Sequence, residues 1–476
     1  MEPTTIQRGH DDLERGLRLH AHGPTSDALA SLGLAGHALA GRPQESLAVA
    51  LASLEVAWSA GDLTACLTSL SAALDAGPTG LVRDHLEGMH ALLTERPLDA
   101  AGPLRAAAEE GAVRESAADL LTACDSALLL GEVRQAGRIA ARALAVARSA
   151  DDGPARARAS ERLAYAELRA GRHAMAREHA TTGLRAAWQA GQVNAAAHHH
   201  AVLALVASVQ GPWDVAVRHA AAADIARRHG LCQPVTLAEW ARARTEVGQG
   251  RFADARTRLT SLLRGDGNAH FALRGLVIPT CVEAGWLAGD LDGATTLVDE
   301  LAAWSSAADD PHGPALVLRC RALVTDGDDG DDLFRAADAA HVGPDADLER
   351  ARTALLHGMW LRRARRPVDS RERLRAAVVL FERCGAPAWA TVARTELRSA
   401  GAATTDDEGA PGAALGRLTP HQRRIARYVA AGDTNRDVAD RLGVSVRTVD
   451  CHLRNIFAAL QVRSRTELAR LVPAPD

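Results

Sequence analysis

No lysine occurs among the 476 residues, so all 55 basic residues are arginine. That absence removes several chemistries together: a P-loop lysine, a Schiff-base lysine and a receiver-domain lysine are all impossible. Aromatic residues make up only 3% of the chain, and 8 of them are tryptophan. Isoleucine is scarce and no alternating β-rich stretch occurs, which argues against sheets. The 7 cysteines stand singly at 66, 124, 232, 281, 320, 384 and 451, with no CxxC pair. Such spacing makes neither a disulfide framework nor a zinc site, and it fits a reducing compartment. The N-terminal MEPTTIQRGHDDLERG is charged and lacks the apolar core of a signal peptide. The longest apolar run, around Ala201–Val209, falls far short of the ~20 residues of a membrane helix. A soluble cytoplasmic protein without a membrane partner is expected.

What the chain does hold is alanine, leucine and arginine, with 101 alanines, and these residues favour helix throughout. The net charge of −4 hides a division. Residues 417–472 carry 11 arginines against 5 acids, or +6, and Asp476 adds −1, so residues 1–416 carry −9. A basic tail on an acidic body points to a phosphate-bearing partner for the tail.

The body repeats. GDLTAC, GEVRQA, GRHAMA, GPWDVA, GRFADA and GDLDGA share one template, anchored at Gly61, Arg96, Gly131, Gly171, Gly211, Gly250, Gly289, Gly327 and Arg366. Successive anchors lie 35 to 40 residues apart, with Gly23 as an earlier member. Five positions after an anchor, alanine recurs: Ala28, Ala101, Ala136, Ala176, Ala216, Ala255 and Ala294. The anchor should turn the chain between two antiparallel helices, and the small residue should let them approach closely. The apolar residue two after the anchor (Leu63, Leu98, Val133, Trp213, Phe252, Leu291, Val368) is expected to open the second helix on its buried face. This spacing resembles the tetratricopeptide repeat in a degenerate, longer-helix form. The fold class expected is all-α: a tetratricopeptide-like superhelical array over residues 1–398, about nine or ten hairpins.

Such a stack presents a groove, for which Trp188, Trp213, Trp240, Trp286 and Trp360 are the candidate lining of an effector site. Their competing role is to fill gaps between alanine-lined helices. His198, His199 and His200 point three ways around a helix, whereas metal ligands want i,i+4 spacing. No metal or cofactor is expected, and the acidic DGDDGDD at 326–332 reads as a solvated loop.

Residues 399–416 are small, acidic and turn-forming, which reads as a linker. Beyond it four helix starts are written. Thr419 with Pro420 and Gln422 caps a helix striped by Ile425, Tyr428 and Val429 and ended at Gly432. Thr434 with Asp437 caps a second, and Ser445 a third that faces inward through Val449, Leu453, Ile456 and Leu460. Ser464 with Glu467 caps a fourth. Two short helices, a tight turn and a longer helix make a helix-turn-helix, whose longer helix enters the major groove N-terminal half first. Arg447, Asp450, Cys451 and Arg454 lie on its polar side as candidate base readers. Arginine can read guanine, and aspartate can accept from cytosine.

The string Leu418-Thr419-Pro420, Ala431-Gly432, Asn435, Val438-Ala439, Ser445, Arg447-Thr448-Val449, His452-Leu453, Ile456 and Arg465-Thr466 resembles the DNA-binding domain of the LuxR family of bacterial regulators. The resemblance covers residues 417–472 and implies a four-helix domain. It implies base-facing positions at Asp450, Cys451 and Arg454. Candidate phosphate contacts are Thr434, Asn435, Arg436 and Thr448, with His452, Arg463, Ser464 and Arg465 beyond them. Cys451 stands where relatives with large helical bodies often carry an aromatic, and Gln461 where a glycine is usual. The function implied is a sequence-specific transcription regulator controlled by a small-molecule or protein effector in the body. Expected partners are double-stranded DNA, a second copy of the chain on DNA, and RNA polymerase. The rival is a protein-interaction scaffold without specific DNA binding. No paired carboxylates or Ser/His elbow suggests an enzyme.

Overall fold

The computed structural model describes residues 3–264, 269–307, 312–325, 327, 329–343, 346–401, 420–442, 445–460, 462 and 464–471. These are helical, without a strand among the described residues. The chain divides into two units, Met1–Glu396 and Leu397–Asp476.

Unit one is a run of helix pairs. Pro3–His22 (α1) and Thr25–Ala38 (α2) form the first pair, Pro43–Ala60 (α3) and Leu63–Asp75 (α4) the second, Gly80–Leu93 (α5) and Pro97–Ala112 (α6) the third. Ala117–Leu129 (α7) pairs with Val133–Ser149 (α8), and Gly153–Arg169 (α9) with His173–Gln189 (α10). Val193–Gln210 (α11) pairs with Trp213–Ala222 (α12), trailed by one turn, Ile225–Arg228 (α13). Cys232–Gly248 (α14) with Phe252–Leu263 (α15) and Arg274–Ala288 (α16) with Ala294–Ala307 (α17) follow. Gly313–Val324 (α18) with Asp329–Ala340 (α19) and Asp347–Arg363 (α20) with Pro367–Arg383 (α21) complete ten pairs, and Pro387–Ser399 (α22) packs on the last.

One turn recurs inside the pairs. A left-handed residue ends the first helix, and the next N–H reaches back to a carbonyl five residues earlier, satisfying an orphan acceptor. Gly61, Gly131, Gly171, Gly250 and Gly289 hold that conformation, with φ between 68° and 82°. The returning bonds include Asp62 N to Ala57 O at 3.1 Å and Arg172 N to Glu167 O at 2.9 Å. In the third and tenth pairs the left-handed residues are Glu95 (φ 60°) and Arg365 (φ 59°), one position before the expected Arg96 and Arg366. The expected register is therefore corrected by one residue in those two pairs.

With the correction, the position five after the turn is filled by Cys66, Ala100, Ala136, Ala176, Ala216, Ala255, Ala294 and Ser370, each at most 1% exposed. Four residues on, Leu70, Leu104, Ala140, Leu259 and Leu374 continue the same buried stripe. The first helix meets it with little to spare: a Cβ on Gly88 would lie 2.5 Å from Leu104, and one on Gly358 2.6 Å from Leu374. The residue two after the anchor is not buried as expected. Leu98 is 94% exposed and Val368 67%, while Leu63 and Leu291 are also exposed, because the buried stripe begins a turn later.

The stack closes on itself. Asn194 of α11 donates through Nδ2 to the carbonyls of His20 (2.7 Å) and Gly23 (3.0 Å), and Thr25 N donates to His229 O at 2.8 Å. His270 Nε2 lies 2.7 Å from Trp58 O, and Trp389 Nε1 donates to Ser208 O at 2.9 Å. The first pair thus meets the sixth, and the second meets the start of the eighth. On the inner side of this turn the first helices line a space that is partly open to solvent. Phe271–Ala288 is the one stretch among the described residues long and apolar enough to cross a membrane, and it is mostly buried within this stack. Of the expected linker 399–416, Ser399 ends α22, and residues from 402 onward lie outside the described residues.

Candidate nucleic-acid interface and body cavity

Unit two holds Pro420–Ala430 (α23), Asn435–Leu442 (α24), Val446–Leu460 (α25) and Arg465–Leu471 (α26). Their apolar stripes meet in one core: Ile425 and Val429 from α23, Val438 and Ala439 from α24, and Val449, Leu453, Ile456 and Leu460 from α25. Tyr428 sits half-buried at its edge, with the Arg441 guanidinium 5.5 Å from the ring centre. Gly432, at φ 100°, ends α23 and lets Asp433 N donate to Tyr428 O at 3.0 Å. Thr434 then starts α24. Its N–H and hydroxyl both donate to Asp437 Oδ2 (2.9 and 2.6 Å), and Asp437 N donates back to Thr434 Oγ1 at 3.2 Å. These bonds hold the Asp437 carboxyl below the usual range. Ser464 Oγ accepts from Glu467 N at 3.2 Å and starts α26. The Thr419 cap lies outside the described residues.

Because α25 spends one stripe on the core, Asp450, Arg454 and Asn455 stay exposed on the other. Helical spacing puts positions 447, 450, 451 and 454 on one face. The side chains of Arg447, Thr448 and Cys451, and Arg463 altogether, lie outside the described residues. Arg436 is exposed, His452 half-buried. A polar relay joins three helices: Asn435 Nδ2 donates to Asp450 Oδ1, and Asn435 Oδ1 accepts from Arg465 Nη1 at 2.5 Å. The other Arg465 nitrogen donates to the Asp433 carbonyl. So Asp450, a candidate base reader, is tied to two candidate phosphate contacts. Sequence gave no hint of this relay, since its members are 15 and 30 residues apart.

In unit one, a cavity of about 690 Å³ lies inside the closed turn. Its apolar lining includes Leu51, Leu54, Trp58, Met89, Leu121 and Phe271. Charged groups, some from the same helices, share it. Arg162 donates to Asp125 (2.8 Å) and to Glu161 (2.5 Å), His198 Nδ1 lies 2.9 Å from Glu161, and Arg158 lies 3.3 Å from Glu55. Burial alone would raise the Glu161 carboxyl, but His198 and Arg162 hold it well below the usual range. A volume near 300–1,000 Å³ with convergent polar groups is the usual build of a ligand pocket. The tryptophans in it are Trp58 and Trp304.

The five tryptophans expected to line a groove are not brought together. Trp188 is 55% exposed. Trp213 meets Trp389 edge-on at 6.3 Å, Trp286 lies under the Arg363 guanidinium at 3.8 Å, and Trp360 packs near Phe334 at 6.2 Å. Trp240 lines a second cavity, of about 100 Å³, and donates from Nε1 to Thr280 Oγ1 at 2.9 Å. Nothing in the sequence marks the residues of the 690 Å³ cavity, because each first helix contributes only a few and no sequence period says which pairs meet across the turn.

Residues 417–472 match the signature described as "Bacterial regulatory proteins, luxR family". A Mycobacterium bovis protein described as an HTH-type transcriptional regulator is 45% identical over 58 residues, 12% of this chain and 7% of that one. The monoamine regulon transcriptional regulator of Klebsiella aerogenes is 47% identical over 51 residues, 11% of this chain and 22% of its own. The tetrathionate response regulatory protein TtrR of Salmonella typhimurium is 39% identical over 54 residues, 11% of this chain and 26% of its own. The matched stretch thus spans well under a third of these relatives. Among solved structures, a Rap protein complexed with Competence and Sporulation Factor aligns over 83% of this chain and 99% of that one, at 14% identity and a TM-score of 0.47. Residues 417–472 are a helix-turn-helix domain of the luxR family of bacterial transcriptional regulators, carried at the C-terminus of an all-helical repeat chain.

Proposed function

We propose that this protein is a sequence-specific regulator of transcription that reads the major groove with α25 and is controlled by an effector held in the helical body. The observation that supports the reading is the exposed face of α25, with Asp450 and Arg454 one turn apart on a helix whose other stripe is locked into the core. Arg447, Asp450, Cys451 and Arg454 read base edges. Thr434, Asn435, Arg436, Thr448, His452, Arg463, Ser464 and Arg465 hold phosphates, and α24 crosses the backbone. The asymmetric charge, +6 on residues 417–472, suits that partner. Two copies bind one operator, and a bound pair offers a surface to RNA polymerase. Selection of DNA bound by the full chain from a random pool tests the reading. A single motif with two-fold symmetry is expected. Recovery of unselected sequence would remove both the regulator and the dimer from consideration.

A further inference from the structure

The 100 Å³ cavity lies where the first helices of the fifth to tenth pairs converge, and its charge is unbalanced. Arg244 of α14, Arg319 of α18 and Arg352 of α20 are 4%, 1% and 2% exposed. Two acids answer them. Arg352 is paired with Glu283 of α16, and Glu349 lies 2.8 Å from Arg319 and 3.5 Å from Arg244. Among the described residues three buried arginines stand here against two acids, an excess of one positive charge, and the half-buried Arg169 also lines the cavity. The sharing is poor as well: Glu349 meets Arg319 first, and Arg244 retains only the longer contact. The Nε atoms of Arg244 and Arg319 are both buried without a hydrogen-bond partner among the described residues, as is Oε2 of Glu349, so unsatisfied donors outnumber the acceptor two to one. The Arg244 guanidinium rests over the Trp240 ring, 4.7 Å from its centre, which softens the charge but satisfies no N–H.

A buried charge without a partner is costly, and native proteins normally pair it or put a ligand beside it. We propose that the cavity bounded by Arg244, Arg319, Arg352 and Glu349 binds the oxyanion group of an effector, a carboxylate or a phosphate. The planar forks of the arginines suit such a group, and charge-assisted bonds to it are among the stronger ones. The volume admits a head group and little more. Burial, and after it repulsion from Arg352, pushes the Arg244 guanidinium down to about 9, so it remains charged at neutral pH and still lacks a full counter-ion. Tyr165 and Arg169 line this cavity and also the 690 Å³ one, so the two adjoin and a head group seated here leaves room for a larger body beyond them. The inference rests on the reading of the body as effector-binding, and it adds the chemistry of what is bound.

Thermal unfolding of the full chain in inorganic phosphate, in acetate and in chloride, at matched ionic strength, tests it. Saturable stabilisation by phosphate or acetate and none by chloride is expected, and the stronger of the two identifies the head group. Arg244→Met should lose tenfold or more in anion affinity. It should also melt no lower than wild type without anion, because the two remaining buried arginines then match the two acids. Stabilisation that is equal in all three salts, or absent, overturns the site, and the wild-type curves decide this even if the variant folds poorly. Arg244→Met melting well below wild type while keeping the anion effect overturns it too, since Arg244 would then be only a strut for Glu349. DNA affinity measured with and without the anion separates the two readings. Anion binding that leaves DNA affinity unchanged removes control by this ligand and keeps the site.

Discussion

His270 holds its place only as a neutral imidazole with its proton on Nε2. That nitrogen must donate to the Trp58 carbonyl at 2.7 Å, while Nδ1 accepts from Ala272 N at 3.3 Å. Burial pushes His270 down to about 4, and it does the same to His173, His199 and His341. An imidazole depressed in the folded state takes up its proton more readily once unfolded. Its stabilising contribution is complete above the unfolded value near 6.5 and is lost as pH falls toward 4. Each contributes at most about 1.4 kcal/mol per pH unit within that window. The full chain should therefore melt progressively lower from pH 7 to pH 5, and His270→Gln should flatten that slope; an unchanged slope would place His270 outside the effect. The α25 face makes a second residue-level prediction. Arg454→Ala should cost about 1–3 kcal/mol on the selected site and relax one base position. Arg465→Ala should weaken all sequences alike and lower the salt slope by about one, read by anisotropy over a salt series. Loss of preference with Arg465→Ala instead would mean that the Asn435 relay positions Asp450 for reading.

Within the helix pairs, the turn sets the element boundaries, and here the sequence was legible wherever glycine marks the left-handed position. Gly61, Gly131, Gly171, Gly250 and Gly289 were found by type alone. Glu95 and Arg365 adopt the same conformation with a Cβ, so nothing in the residue type marked them, and the register slipped to Arg96 and Arg366. Leu98 and Val368 are exposed for a separate reason, shared with Leu63 and Leu291 in pairs whose register held: the buried stripe starts a turn beyond that position. In the tail, caps and stripes were local and legible, whereas the Asn435 bridge to Asp450 and Arg465 needed the packed helices. A strained position can be relieved. Glu95→Gly should stabilise the body by about 0.5–1 kcal/mol, less the extra chain entropy of glycine, while Gly131→Ala should destabilise it by about 1–2 kcal/mol. Chemical denaturation of the two variants beside wild type reads both signs, and equal effects would show that backbone strain is not the determinant.

At the scale of the molecule, an extended array of repeats unfolds as a sum of neighbour terms, with ends that fray independently. This body does not have free neighbours alone: Asn194 ties α11 to the end of α1, and His270 ties the start of the eighth pair to α3. Removing residues 1–38 should therefore weaken protection of the sixth pair, 150 residues and more away, as well as the adjacent second pair. Hydrogen exchange of the truncated and full chains checks this; loss confined to the second pair would show that the cross-turn bonds carry little. The join across the turn also bears on anything bound inside it. Asn194 and the chain beside His270 line the inner space and are held by bonds made across the turn, so the wall is set in place before a ligand arrives and little binding energy is spent on ordering it.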